Sequence, residues 1–154
     1  MKARYFVGAA VAVATVSLAS GGVASAADLD PAPYLVGDTV YFSYGNMASC
    51  AMHPNGDVGC DIQPNTARWF GILPVTDLAI DLPFLPAHPT FGQHGMAGSP
   101  GLALDPPTST NPYPGNATIS YGGATCVGSG SRAELSCRSK GHSFAFGFGG
   151  TQVS

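Results

Sequence analysis

Wherever this chain shows a hydrophobic period after its first 26 residues, the period is two. Thr39-Val-Tyr-Phe-Ser-Tyr44 is β-branched and aromatic, and Ala117-Thr-Ile-Ser-Tyr121 repeats that character. Phe144, Phe146 and Phe148 mark one face of a last strand at two-residue spacing. No later stretch sustains a 3.6-residue period, and 21 glycines and 13 prolines among 154 residues interrupt the chain too often for long helices. The pattern predicts an all-β or mostly β fold, a small antiparallel sheet or sandwich.

The sharpest local prediction is Cys50-Ala-Met-His-Pro-Asn-Gly-Asp-Val-Gly-Cys60. Pro54 and Asn55 suit the central positions of a type I turn, and Gly56 suits the left-handed position of a three-residue loop with a G1 bulge. Counting outward pairs His53 with Asp57, Met52 with Val58, Ala51 with Gly59 and Cys50 with Cys60. The two cysteines then form a non-hydrogen-bonded pair, whose Cα separation of about 4.5 Å lies within disulfide reach. Cys126 and Cys137 bracket Gly128-Ser-Gly-Ser-Arg-Ala133, a second hairpin with a loop of even length. Four cysteines allow three connectivities, and short-range pairing, Cys50–Cys60 and Cys126–Cys137, is the expectation. Ser43-Tyr44-Gly45 before Cys50 and Ser120-Tyr121-Gly122 before Cys126 read as a weak internal repeat.

The disulfide expectation depends on compartment, which the N-terminus addresses. Lys2 and Arg4 precede an apolar run from Phe6 to about Leu18, and Ala24-Ser25-Ala26 supplies the small residues of a peptidase site. Residues 1–26 are therefore expected to be a signal peptide, cleaved between Ala26 and Ala27. The apolar run is shorter than the roughly 20 residues that span a bilayer. Residues 27–154 would form one secreted or envelope-associated domain, monomeric and with no membrane span after cleavage, in an oxidising compartment. Losing Lys2 and Arg4 takes the formal charge from −3 to −5. So few cations argue against nucleic-acid partners, whose phosphates must be neutralised by Lys and Arg.

Between the cysteine pairs, residues 63–115 hold ten of the 13 prolines. Arg68-Trp-Phe-Gly-Ile-Leu73 and Asp77-Leu-Ala-Ile-Asp-Leu82 are candidate short strands; the remainder reads as a long proline-rich loop. Its Phe84, Leu85, Phe91, Met96, Leu102 and Leu104 are expected to pack in part on the sheet.

Candidate chemistry is sparse. His53, His88, His94 and His142 lack the short repeated spacing of zinc ligands, so no metal or cofactor is expected, and His53 with Asp57 reads as a cross-strand polar pair. Ala97-Gly-Ser-Pro-Gly101 imitates a nucleophile elbow, but an oxyanion hole needs the N–H of the residue after the serine, and Pro100 has none. No catalytic residue is assigned. Asn116-Ala-Thr118 is a formal glycosylation sequon, and residues 106–112 have the composition of an O-glycosylated stretch.

Gly45-Asn46-Met47, Cys50, Cys60-Asp61-Ile62 and Trp69, followed by Tyr121-Gly122, Cys126, Cys137 and Gly141-His142-Ser143-Phe144, resemble small exported proteins of mycobacteria and related actinobacteria. In those a "GNI…C…CDI…W" segment precedes "YG…C…C…GHGF". The resemblance covers about half of residues 27–154 and implies a secreted, disulfide-linked, β-rich domain; it carries over no catalytic residue. This chain departs in lacking further central cysteines and in having Ser143 where glycine is usual. The expected function is non-enzymatic binding of a protein or cell-wall component through the proline-rich loop. The alternatives are a small hydrolase using His88, His94 or His142 with an aspartate, and a protease inhibitor.

Overall fold

The computed structural model describes residues 27–91, 102–104, 116–130 and 133–154. Residues 1–26, His94, Met96, the Ala97–Gly101 stretch and residues 106–112 lie outside the described residues. In chain order the strands are β1 (Ala27–Leu29), β2 (Leu35–Val36), β3 (Thr39–Tyr44), β4 (Ala48–Met52) and β5 (Val58–Ile62). They continue as β6 (Ala67–Trp69), β7 (Leu73–Val75), β8 (Asp77–Ile80), β9 (Leu102–Ala103) and β10 (Ala117–Tyr121). The last four are β11 (Ala124–Ser129), β12 (Glu134–Ser139), β13 (His142–Gly147) and β14 (Gly150–Val153). With 58% strand and 3% helix, the described chain is mostly β, as the alternation predicts.

One sheet runs β1-β10-β11-β12-β13-β14, and a second runs β2-β3-β4-β5-β8 with β9 added to β3. Both centre on the same construction. Tyr44-Gly45 and Tyr121-Gly122 each end a strand with a glycine in the left-handed region, at φ +52° and +58°. Each turn leads into an antiparallel strand whose cysteine bonds to the next strand, and a further antiparallel strand, β8 or β13, follows alongside. The weak repeat in the sequence thus corresponds to two similar meanders.

The first hairpin has the predicted register. Met52 opposes Val58, Ala51 opposes Gly59 and Cys50 opposes Cys60. His53 N–H donates to Asp57 O at 2.8 Å, Gly56 N–H donates to His53 O at 3.0 Å, and Gly56 has φ +85°. The Cys50–Cys60 and Cys126–Cys137 disulfides span Cα separations of 4.0 and 4.1 Å. The second hairpin closes at Ser129 and Glu134, leaving the even, four-residue loop 130–133.

The sheets pack face to face, β5 against β12 and β8 against β13, around one core that holds all four half-cystines. Alternation decides which side chains enter it: Phe42, Cys50, Cys60 and Leu78 form one cross-strand row, and Ile119, Cys126, Cys137 and Phe144 form another. Burying each large side chain removes apolar surface worth about 1.5–3 kcal/mol. Close approach locks the layers: a Cβ at Gly128 would sit 2.6 Å from the Tyr44 ring, and one at Gly122 only 2.1 Å from His53 O.

Three expectations need correction. Phe148 does not share the face of Phe144 and Phe146, because β13 ends at Gly147, where a Cβ would meet Ala133 O at 2.4 Å; Phe148 lies in the following turn, 84% exposed. Arg68–Leu73 is not one strand but the bend of the β6–β7 hairpin, whereas the candidate strand at Asp77–Leu82 is present as β8. His53 and Asp57 are hydrogen-bonded through their backbones, not through their side chains. The His53 ring faces Thr39 Oγ1 at 3.2 Å, while the Asp57 carboxylate takes Lys140 and Asn55.

Candidate functional site

Eight of the eleven exposed large hydrophobic side chains among the described residues fall between positions 63 and 115. Seven of them, Phe70, Ile72, Leu73, Leu82, Phe84, Leu85 and Phe91, sit on two short, well-anchored pieces of backbone.

The first piece is the β6–β7 hairpin. Trp69 opposes Leu73, so Phe70-Gly71-Ile72 forms the tip, with Phe70 at φ +49° and Gly71 at +72°. A left-handed conformation in a bulky residue costs roughly 1–3 kcal/mol and persists only where the surroundings enforce it. Here they do: Arg68 N–H donates to Thr151 Oγ1 at 2.8 Å, and Trp69 Nε1–H donates to Ala87 O at 3.0 Å. Gly71 and Ile72 N–H donate to Arg68 and Trp69 O at 3.0 and 3.1 Å. Phe70 leans on Trp69, ring centroids 4.8 Å apart, yet remains 59% exposed, and Ile72 is 80% exposed.

The second piece, residues 81–91, is a strap stiffened by Pro83, Pro86 and Pro89. Ala79 and His88 exchange backbone hydrogen bonds at 2.9 and 3.0 Å. Buried Asp77 accepts from Thr90 N–H, the Thr90 hydroxyl and Phe91 N–H at 2.5, 2.5 and 3.2 Å. His142 Nε2 donates to Pro83 O at 3.2 Å. The strap buries Ala87 but holds Phe84 outward, 74% exposed. Of the loop residues expected on the sheet, Leu104 packs into the core, whereas Phe84, Leu85, Phe91 and Leu102 face out.

Among the described residues, His53, His88 and His142 do not converge. His53 is on the far hairpin beside Thr39, and His142 tethers Pro83. His88 pairs with Asp81 at 3.4 Å while its Nδ1 faces Pro86 O at 3.0 Å, so both ring nitrogens serve oxygen atoms of the strap. Among the described residues no three His, Cys, Asp or Glu side chains group as metal ligands.

A cleft of about 710 Å³ opens where β4 begins and β5 ends, lined by Asn46, Met47, Ser49, Asp61 and Gln63 among others. Asp61 lies between Ser49 and Asp77 in one cross-strand row. Its Oδ2 is buried without a hydrogen-bond partner. Burial, and then the neighbouring charge of Asp77, push the Asp61 carboxyl above the ordinary aspartate range. Sequence reading missed this group because only the register brings Asp61 and Asp77 together. It also missed the exposed tip at Phe70 and Ile72, whose signal was the glycine between two large apolar residues.

No protein-family profile, curated protein or solved structure matches the chain.

Proposed function

We propose that the protein is exported, is processed between Ala26 and Ala27, and acts outside the reducing cytosol as a monomeric, non-enzymatic binding domain. Its partner, a protein or a cell-wall component, engages the apolar surface of the β6–β7 tip and the 81–91 strap. The observation that carries this reading is the exposure of Phe70, Ile72 and Phe84 on backbone fixed by hydrogen bonds to both sheets. Exposed apolar groups held rigidly lose little entropy on binding and gain the hydrophobic contribution of burial. Export is supported by the two disulfides, which form and persist in oxidising compartments. Among the described residues no helix is long and apolar enough to cross a membrane.

Co-sedimentation with an envelope preparation from the producing organism tests the surface. Wild-type protein is expected to sediment with the envelope, and Phe70→Ser/Ile72→Ser to remain in the supernatant with an unchanged melting temperature. Equal sedimentation of the two proteins would remove the tip from the interface.

The Asp61 cleft favours one rival, a small hydrolase with Asp61 as acid or base, because a carboxyl raised by burial and a neighbouring carboxylate is a common catalytic arrangement. The readings separate on Asp61→Asn. It abolishes activity in the hydrolase and leaves envelope binding intact in the binding domain.

A further inference from the structure

The outer face of the β10–β14 sheet carries a hollow of about 400 Å³, whose lining includes Thr125, Arg138, Lys140, His142 and Ser143. Register builds it. Arg138 opposes Thr125 across β11–β12 and Ser143 across β12–β13, which sets its Cβ about 5 Å from theirs, with a hydroxyl-bearing residue on either side. Leu135 and Cys137 of β12 are buried in the core, and Arg138, on the opposite face, is exposed.

The two hydroxyls are already oriented. Thr125 Oγ1 bonds Ser120 Oγ at 3.0 Å, and Ser143 Oγ bonds Ser154 Oγ at 2.8 Å. A hydroxyl has one donor and two lone pairs, so each keeps capacity for another bond. The cations at the hollow differ in how their charge is met. Lys140 is paired with the Asp57 carboxylate and donates to Asp81 O at 2.7 Å. Arg138 meets no carboxylate among the described residues. Its planar fork therefore presents donors spaced for two oxygens of one group. The rim stays open, since a Cβ at Gly123 or Gly141 would have nothing within 4 Å.

We propose that this hollow recognises a single oxyanion, carboxylate or phosphate, carried on a small hydroxylated ligand such as a sugar acid or sugar phosphate. Arg138 grips the oxyanion, and Thr125 and Ser143 bond to neighbouring hydroxyls. The adjoining cross-strand row, Thr118, Val127, Ser136, Ala145 and Gln152, has no aromatic side chain, which fits a polar ligand better than an acyl chain or an aromatic one. The acidic balance of the whole chain disfavours a polyanion and leaves a ligand with one oxyanion group as the match.

The test is an NMR titration of the oxidised, 15N-labelled protein with glucuronate, glucose 6-phosphate and neutral glucose. At least one of the two acids is expected to shift the amides of residues 123–125 and 138–143 saturably, with a dissociation constant on the order of 1 mM, and glucose is expected not to. Which acid binds identifies the oxyanion. Arg138→Gln should weaken binding at least about tenfold while the remaining amides keep their positions, and Arg138→Lys should recover only part of it. The proposal is overturned if neither acid gives a saturable shift, if glucose shifts the same amides equally, or if Arg138→Gln binds as the wild type does.

Discussion

Single atoms decide how the first hairpin meets the opposite sheet. Its tip is wedged between two turns: Gly122 lies against His53 and Pro54, and Ser139 Oγ–H donates to Gly56 O at 2.6 Å. Gly122→Ala would introduce a clash with His53 O on a backbone at φ +58°, so a loss of about 2–4 kcal/mol is expected in denaturant unfolding. The Asp57–Lys140 pair closes the same junction. Burial works to raise the Asp57 carboxyl, but the hydrogen bonds from Lys140 and Asn55 and the charge of Lys140 outweigh it and hold it below the ordinary range. A depressed carboxylate adds stability above its unfolded pKa and loses it as pH falls through the folded value. Lys140→Met should therefore cost about 1 kcal/mol at pH 7, and the gap to wild type should narrow as pH falls below the ordinary aspartate range. Asp61 has the opposite sign. Its raised carboxyl makes ionisation unfavourable to the fold, so the cost appears as pH rises through the folded value. Asp61→Asn is expected to stabilise at pH 7 by less than about 1 kcal/mol and to be neutral near pH 3, which melting curves at the two pH values will show.

At the scale of elements, the two disulfide hairpins carry most of the local instruction. Each bond closes a loop of 10 or 11 residues, for which chain entropy allows roughly 2–3 kcal/mol. Cys50→Ala/Cys60→Ala should lower unfolding stability by about that amount while Cys126–Cys137 still forms, as peptide mapping without reduction would show. The first hairpin was legible in the sequence because its turn chemistry fixes register, and register put Cys50 opposite Cys60; the second was legible only as two cysteines bracketing a glycine-serine loop of even length, and the structure supplies its register. The β6–β7 hairpin was not legible. Its bend depends on Phe70 in a left-handed conformation that only the anchors at Thr151 and Ala87 sustain, and no local signal announces them. Phe148 was misread for a related reason: two-residue spacing runs past Gly147, whereas the strand ends there and the turn to β14 begins, with Gly147 at φ +156°.

For the whole molecule, alternation predicted the mostly β class, and the repeated Ser-Tyr-Gly turn marked the two meanders that face each other. The surface proposed for binding was only half visible. Proline content singled out the middle of the chain, but which of its apolar residues enter the core and which face solvent follows from contacts distant in sequence, such as Pro83 with His142 and Ala87 with Trp69. The central claim is that the protein acts outside the cytosol through the Phe70–Ile72 tip. Its most direct test is a photo-crosslinking amino acid placed at Ile72, or at exposed Val36 of β2 as control, in the producing cells. The account predicts a discrete adduct from position 72, none from position 36, and an N-terminus at Ala27 in the crosslinked protein. Equal labelling from both positions, or an adduct confined to the cytoplasm with Met1 intact, would contradict it.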